Sequence, residues 1–124
     1  MNIIDSSGWL EYFGGTKHSA LFYAAIINAK ELLVPTITIY EVFKNIIRDF
    51  DQKIAIDFVT QMQQGTVVDL DTEIAMFAAQ LSREYSLPMA DSIILATARQ
   101  NNATLWTMDA DFKGIPGVKY FAKK

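Results

Sequence analysis

Four acidic residues, Asp5, Glu41, Asp91 and Asp109, are far apart in the chain, yet each stands beside a segment boundary of the kind that brings side chains to one rim. Two carboxylates about 4 Å apart repel by roughly 4 kcal/mol at an effective dielectric of 20, so a cluster of them must take up protons or bind cations. Oxygen ligation of this kind selects hard divalent cations, Mg²⁺ or Mn²⁺, over zinc or copper. Such ions bind phosphodiesters and activate water for in-line attack on phosphorus. Little else is available for chemistry. The chain has no cysteine, which excludes thiolate zinc sites and cysteine nucleophiles, and its one histidine, His18, leaves no basis for a His-rich metal site.

Each acid also has an ordinary reading. Asp5, before Ser6-Ser7-Gly8, could cap the helix that carries Trp9 and Leu10. Asp91 could favour a helix dipole, and Glu41 could pair with Lys44 one turn away. Asp109 and Asp111 could be turn acids before Phe112. The case for a metal site rests on the set and on the elements that position it.

Five short apolar runs read as strands: Asn2 to Asp5, Glu31 to Val34, Thr66 to Asp69, Thr104 to Thr107 and Val118 to Phe121. Between them apolar residues recur at three and four, as in Phe22, Ala25, Ile26 and Ala29, or Tyr40, Phe43, Ile46, Ile47 and Phe50. The same period returns at Ile54, Phe58, Val59 and Met62, at Ile74, Phe77, Ala78 and Leu81, and at Ile94, Leu95 and Ala98. Strands alternating with amphipathic helices define an α/β class: a three-layer α/β/α sandwich around a mostly parallel five-stranded sheet. Ligands in such folds bind beyond the carboxyl ends of the strands. Asp5 ends the first strand and Asp109 follows the fourth by two residues. Asp91 opens a helix after Pro88, and Glu41 lies in a helix just after the second strand and Pro35.

At 124 residues with 51% hydrophobic content, the chain suits one domain spanning 1–124. The start has no basic, apolar leader and no run is long enough to cross a membrane, so a soluble cytoplasmic protein is expected. The net charge of −3 is the wrong sign for bulk attraction to nucleic acid, so bound cations would have to reverse the local field.

These motifs make the chain resemble the PIN-domain family and, within it, the VapC-like toxin nucleases. Ile3-Ile4-Asp5-Ser6-Ser7 looks like the family's first strand with its Asp and hydroxyl, and Glu41 in Tyr40-Glu41-Val42 matches the second acid. Leu87-Pro88-Met89-Ala90-Asp91 through Ala98 matches the third motif, and Leu105-Trp106-Thr107-Met108-Asp109-Ala110-Asp111-Phe112 the fourth. The set arrives in the family's order and spans almost the whole chain. The resemblance implies Mg²⁺- or Mn²⁺-dependent endoribonuclease activity on an RNA substrate and neutralisation by a cognate antitoxin protein. It carries metal ligation to Asp5, Glu41, Asp91 and Asp109, and suggests Ser6 or Thr107 as a supporting hydroxyl. Position 6 is Ser where many relatives have Thr, which keeps the hydroxyl. The fourth motif offers both Asp109 and Asp111; Asp109 is nearer the strand end and is favoured.

Three further features bear on partners. Lys113, Lys119, Lys123 and Lys124 could meet RNA phosphates, or form a solvated tail. Trp9, Tyr12 and Phe13 could stack on bases, or belong to the core. The helices from Ile37 to Phe50 and Asp51 to Gln64 should project as a pair, with Ile46, Ile47, Phe50, Ile54, Phe58 and Met62 exceeding what one sheet face covers. Part of that surface could be a homodimer contact or an antitoxin groove, or all of it could be intramolecular core. Two other functions compete: a protein-binding module that has kept the fold without catalysis, and a phosphate-accepting receiver-like domain. A receiver needs adjacent acids after its first strand, where Ser6 and Ser7 stand.

Overall fold

Short apolar segments form the strands β1 (Asn2–Ile4), β2 (Leu32–Pro35), β3 (Thr66–Val68), β4 (Thr104–Thr107) and β5 (Val118–Tyr120). The computed structural model describes residues 1–123. Its five strands make one sheet in the order β3-β2-β1-β4-β5, and every neighbouring pair is parallel. Parallel strands need crossovers, which the helices supply. α1 (Ser6–Gly14) and α2 (Ala20–Ile27) follow β1, α3 (Thr36–Asp49) and α4 (Gln52–Met62) follow β2, and α5 (Thr72–Tyr85) and α6 (Met89–Gln100) follow β3.

Side chains alternate across the sheet, and both faces are covered. Ile3, Leu33 and Leu105 pack on one side with Ile74, Ala78, Leu81, Ile94 and Leu95 of α5 and α6. Ile4, Leu32 and Val34 pack on the other with Trp9, Phe22, Val42 and Met62 from α1 to α4. The result is the expected three-layer sandwich, with a sheet that is wholly rather than mostly parallel.

The strand limits differ slightly from those read in the sequence. β1 spans only to Ile4: Asp5 still donates its N–H to Trp106 O at 3.2 Å, while its side chain turns to cap α1. Glu31 belongs to a 3₁₀ turn, Ala29–Glu31, which also takes Ala29 out of the preceding helix, while Pro35 extends β2. Asp69 and Phe121 lie just outside β3 and β5.

The chain builds outward from β1 through β2 to β3, then crosses to β4 and β5 on the other side. Strand order therefore reverses between β1 and β4, and their carboxyl ends diverge into a crevice. Asp5 follows β1 and Thr107 ends β4, so the reversal point carries two residues of the candidate site.

Candidate metal centre

Asp5 is 2% exposed and adopts an extended conformation, with φ −74° and ψ 175°, as the N-cap of α1. Its Oδ1 accepts from the Gly8 N–H at 2.9 Å and from Ser7 Oγ at 2.8 Å. Its Oδ2 accepts from Thr107 Oγ1 at 2.5 Å and from Ser7 Oγ at 3.0 Å. Capping is thus compatible with membership of the acidic cluster. Burial pushes the Asp5 carboxyl up to about 6, opposed by hydrogen bonds from Thr107, Gly8 and Ser7 and reinforced by the charge of Asp109.

Thr107 connects two acids. While its hydroxyl donates to Asp5, its oxygen accepts from the Asp109 N–H at 2.9 Å. Asp109 caps a 3₁₀ turn, Ala110–Phe112, and its Oδ1 accepts from the Asp111 N–H at 2.9 Å. Ser6, the first residue of α1, donates instead to Glu41 Oε1 on α3. The hydroxyls of Ser6 and Thr107 therefore serve different acids. Lys44 lies over the Tyr40 ring, 5.7 Å from its centroid, so the alternative of a Glu41–Lys44 pair is not realised.

Asp91 sits in the first turn of α6, directly after the Pro88 cap. Its pKa rises to about 8, first through burial, then through the charge of Asp109 and a hydrogen bond shared with it, then through the charges of Asp5 and Glu41. The four sequence-predicted acids, drawn from four separate segments, therefore act on one another electrostatically. Asp111 is exposed, yet Asp91, Asp109 and Asp111 each present an oxygen within 4.8 Å of the others. Asp109 and Asp111 both reach the space beside Asp91.

No lysine or arginine neutralises the group: among the described residues the ion pair within 4.0 Å is Arg48–Asp49, exposed on α3. An oxygen-only donor set without a cationic side chain suits a hard divalent cation.

Ser7 went unassigned in the sequence, although it bonds both carboxylate oxygens of Asp5. The Asp-Ser-Ser run was its only signal, because which hydroxyl turns back to Asp5 depends on the direction in which α1 leaves the sheet. Gly8 supplies the backbone N–H, and a Cβ there would lie 2.6 Å from Ile4 Cγ2 and 2.8 Å from Phe22 Cε1.

The aromatic residues of α1 are not a free stacking platform. Trp9 is buried and stacks on Phe13 at 5.5 Å, which stacks on Phe58 at 4.2 Å, tying α1 to α4. Of the C-terminal lysines, Lys119 lies 4.1 Å above the Trp106 ring. Lys123 borders a cleft beside Asp109, and Lys124 lies outside the described residues.

This chain belongs to the PIN-domain family, whose model matches residues 3–118. Among solved structures it is similar to a toxin–antitoxin complex from Klebsiella pneumoniae, with 25% identity, a TM-score of 0.82 and 96% of each chain covered. The fold is also that of DNA-bound VapBC from Salmonella typhimurium, at 17% identity, a TM-score of 0.75 and 98% of each chain covered. A third match is VapC20 from Mycobacterium tuberculosis, described as a Sarcin-Ricin loop cleaving toxin, at 12% identity and a TM-score of 0.75, covering 94% of this chain and 95% of that one. No curated protein sequence matches the chain significantly.

Proposed function

We propose that this protein is a divalent-metal-dependent endoribonuclease, the toxin of a toxin–antitoxin pair acting in the cytoplasm. The observation that carries the reading is the convergence of Asp5, Glu41 and Asp109 on Asp91, with no ion pair to a lysine or arginine among the described residues, in a PIN-domain chain. Asp91 and Asp109 would hold Mg²⁺ or Mn²⁺ together with Asp111, while Asp5 and Glu41 supply further negative charge from the β1 and α3 sides. A bound divalent cation supplies positive charge for a phosphodiester and lowers the pKa of a coordinated water.

The chain's own residues do the positioning. Thr107 and Ser7 fix the Asp5 carboxylate by hydrogen bonds to its two oxygens, and Ser6 fixes Glu41. Asp109 is held by its N–H on Thr107 and by the Asp111 N–H on its side chain. Preorganised acceptors of this kind need no rearrangement when charge develops. Raised pKa values at Asp91 and Asp5 mean that metal uptake displaces protons, so affinity rises with pH.

The antitoxin's seat in this reading is a cleft of about 500 Å³ between α1 and the α3–α4 pair, lined by Leu10, Phe13, Ile46, Phe50, Ile54 and Phe58. Phe50, 64% exposed, and the exposed Ile54 leave apolar surface there for a partner, and Ile47 of α3 is exposed outside the cleft lining. Ile46 and Met62, by contrast, are buried in the core. Self-association into a homodimer belongs to the same reading.

The test is incubation of the purified protein with defined RNAs in Mg²⁺, Mn²⁺ or EDTA, beside Asp91→Asn. Cleavage should need the metal and should fall at least about a hundredfold in the variant. Undiminished cleavage in EDTA or by Asp91→Asn would sink the metal-nuclease reading.

A further inference from the structure

A second cleft, of about 470 Å³, opens beside the acidic cluster at the carboxyl ends of β4 and β5. Two of its walls belong to residues already described: Asp109 of the cluster and Ser7, which holds Asp5. Its remaining surface differs in chemistry from the cluster. Ala110 and Ala122 contribute apolar surface beside the buried Met108, Tyr120 a half-buried aromatic ring, and Lys123 an exposed ammonium group.

We infer that this cleft is the subsite for the nucleotide next to the scissile phosphate, with the Tyr120 ring as the stacking surface for its base and Lys123 as the contact for its phosphate. The inference rests on the nuclease reading above. Continuity carries it first. Asp109 is shared, so an RNA strand whose phosphate lies at the carboxylates passes its neighbouring nucleotide into this cleft. Chemistry carries it second: a base needs an aromatic face and apolar walls, and a phosphate needs a cation. Lys119 is engaged over Trp106 at 4.1 Å, leaving Lys123 as the lysine that borders the cleft. The volume lies within the range of small-molecule sites. Tyr120 is fixed by the sheet, because β5 pairs with β4 and sets Tyr120 opposite Thr107, the residue that bonds Asp5. The stacking surface and the metal cluster are thus held in register by the same strand.

Because a ring face accepts any base, the subsite adds affinity with little reading of sequence. A contact made equally in ground and transition states affects KM and leaves kcat nearly untouched.

The probe is a labelled single-stranded RNA containing a randomised segment, cleaved in Mn²⁺ at several salt concentrations. Its equilibrium binding is followed by fluorescence anisotropy in the Asp91→Asn background. Tyr120→Ala should raise KM about tenfold with kcat changed by less than about twofold, and Tyr120→Phe should restore it. Lys123→Gln should reduce the slope of log affinity against log salt by roughly 0.7, with Lys123→Arg restoring it. Normal KM and salt slope in Tyr120→Ala and Lys123→Gln, while the wild type cleaves this RNA, would overturn the subsite alone. So would loss of self-association in sedimentation with RNA binding unchanged, since the cleft would then be a protein contact. If the wild type neither binds nor cleaves the RNA, the nuclease reading fails and the subsite fails with it.

Discussion

Charge on Asp91 is opposed by burial and by the carboxylates of Asp109, Asp5 and Glu41, which together push its pKa to about 8. Asp5 is pushed to about 6, chiefly by burial. Both stand above the ordinary aspartate value of 3.8, so the folded protein holds these protons where the unfolded chain has released them. Their contribution to stability is complete below about pH 4 and is lost as pH rises through 6 and then 8. Metal-free protein should therefore melt at a falling temperature between pH 5 and pH 8.5, and millimolar Mn²⁺ should recover much of the loss. Asp91→Asn removes the titrating group, so the metal-free variant should melt above wild type at pH 8.5 and gain less from Mn²⁺. Calorimetric scans across that range, with and without the ion, decide the matter; a flat profile would mean that the acids do not repel one another as described. At this scale the sequence was informative about types and silent about partners. Asp5, Glu41, Asp91 and Asp109 were readable from their positions at segment boundaries. That Thr107 donates to Asp5 while Ser6 donates to Glu41 depends on how two helices and two strands meet.

The junction between β1 and α1 puts Asp5 in place, and its tightest point is Gly8. An added methyl group would sit 2.6 Å from Ile4 Cγ2 and 2.8 Å from Phe22 Cε1, contacts that need a shift of α1 or of these two buried side chains. Gly8→Ala should cost about 1–3 kcal/mol, read as a lower urea midpoint with an unchanged slope. Movement of α1 would also displace the Gly8 N–H and Ser7 Oγ from Asp5, so residual folded protein should bind metal less tightly. The helices were legible where one face is buried and the other wet, as in α5 with Ile74, Ala78 and Leu81 inside. α6 was harder, because every residue from Ser92 to Ala98 is buried and periodicity has no polar face to contrast with. The period at Ile94, Leu95 and Ala98 was legible only together with the Pro88 start and Asp91. The end of β1 differs by a residue where Asp5, still bonded through its N–H to Trp106 O, turns its side chain to cap α1.

Across the whole molecule, the acidic cluster and the apolar cleft occupy different regions. The acids gather where strand order reverses between β1 and β4, whereas the apolar cleft lies between α1 and the α3–α4 pair. Phe50 lies at the end of α3 with 64% of its surface exposed, and Ile54 is also exposed. Replacing both with Glu should leave the melting temperature within a few degrees and RNA cleavage intact, while weakening inhibition by the antitoxin about tenfold or more. Titrating cleavage by wild type and variant with the purified antitoxin measures this, and equal inhibition of the two would remove the cleft from the interface. The alternation of strands and helices made the layers legible in the sequence. Strand order was not, because nothing local in Asn2–Ile4 says that its neighbours will be β2 and β4.

That strand order also bears on synthesis. Asp5 meets Thr107 across a separation of 102 residues, and the Asp91 segment likewise comes late in the chain. At ribosomal rates of about 5–20 residues per second, Asp5 is made roughly 5–20 s before its partner exists. A nascent chain, even one folded as far as α5, lacks the strand that completes its acidic cluster. The fold thus delays assembly of the acidic cluster until β4 has been made, so translation products that stop before it lack both Thr107 and Asp109.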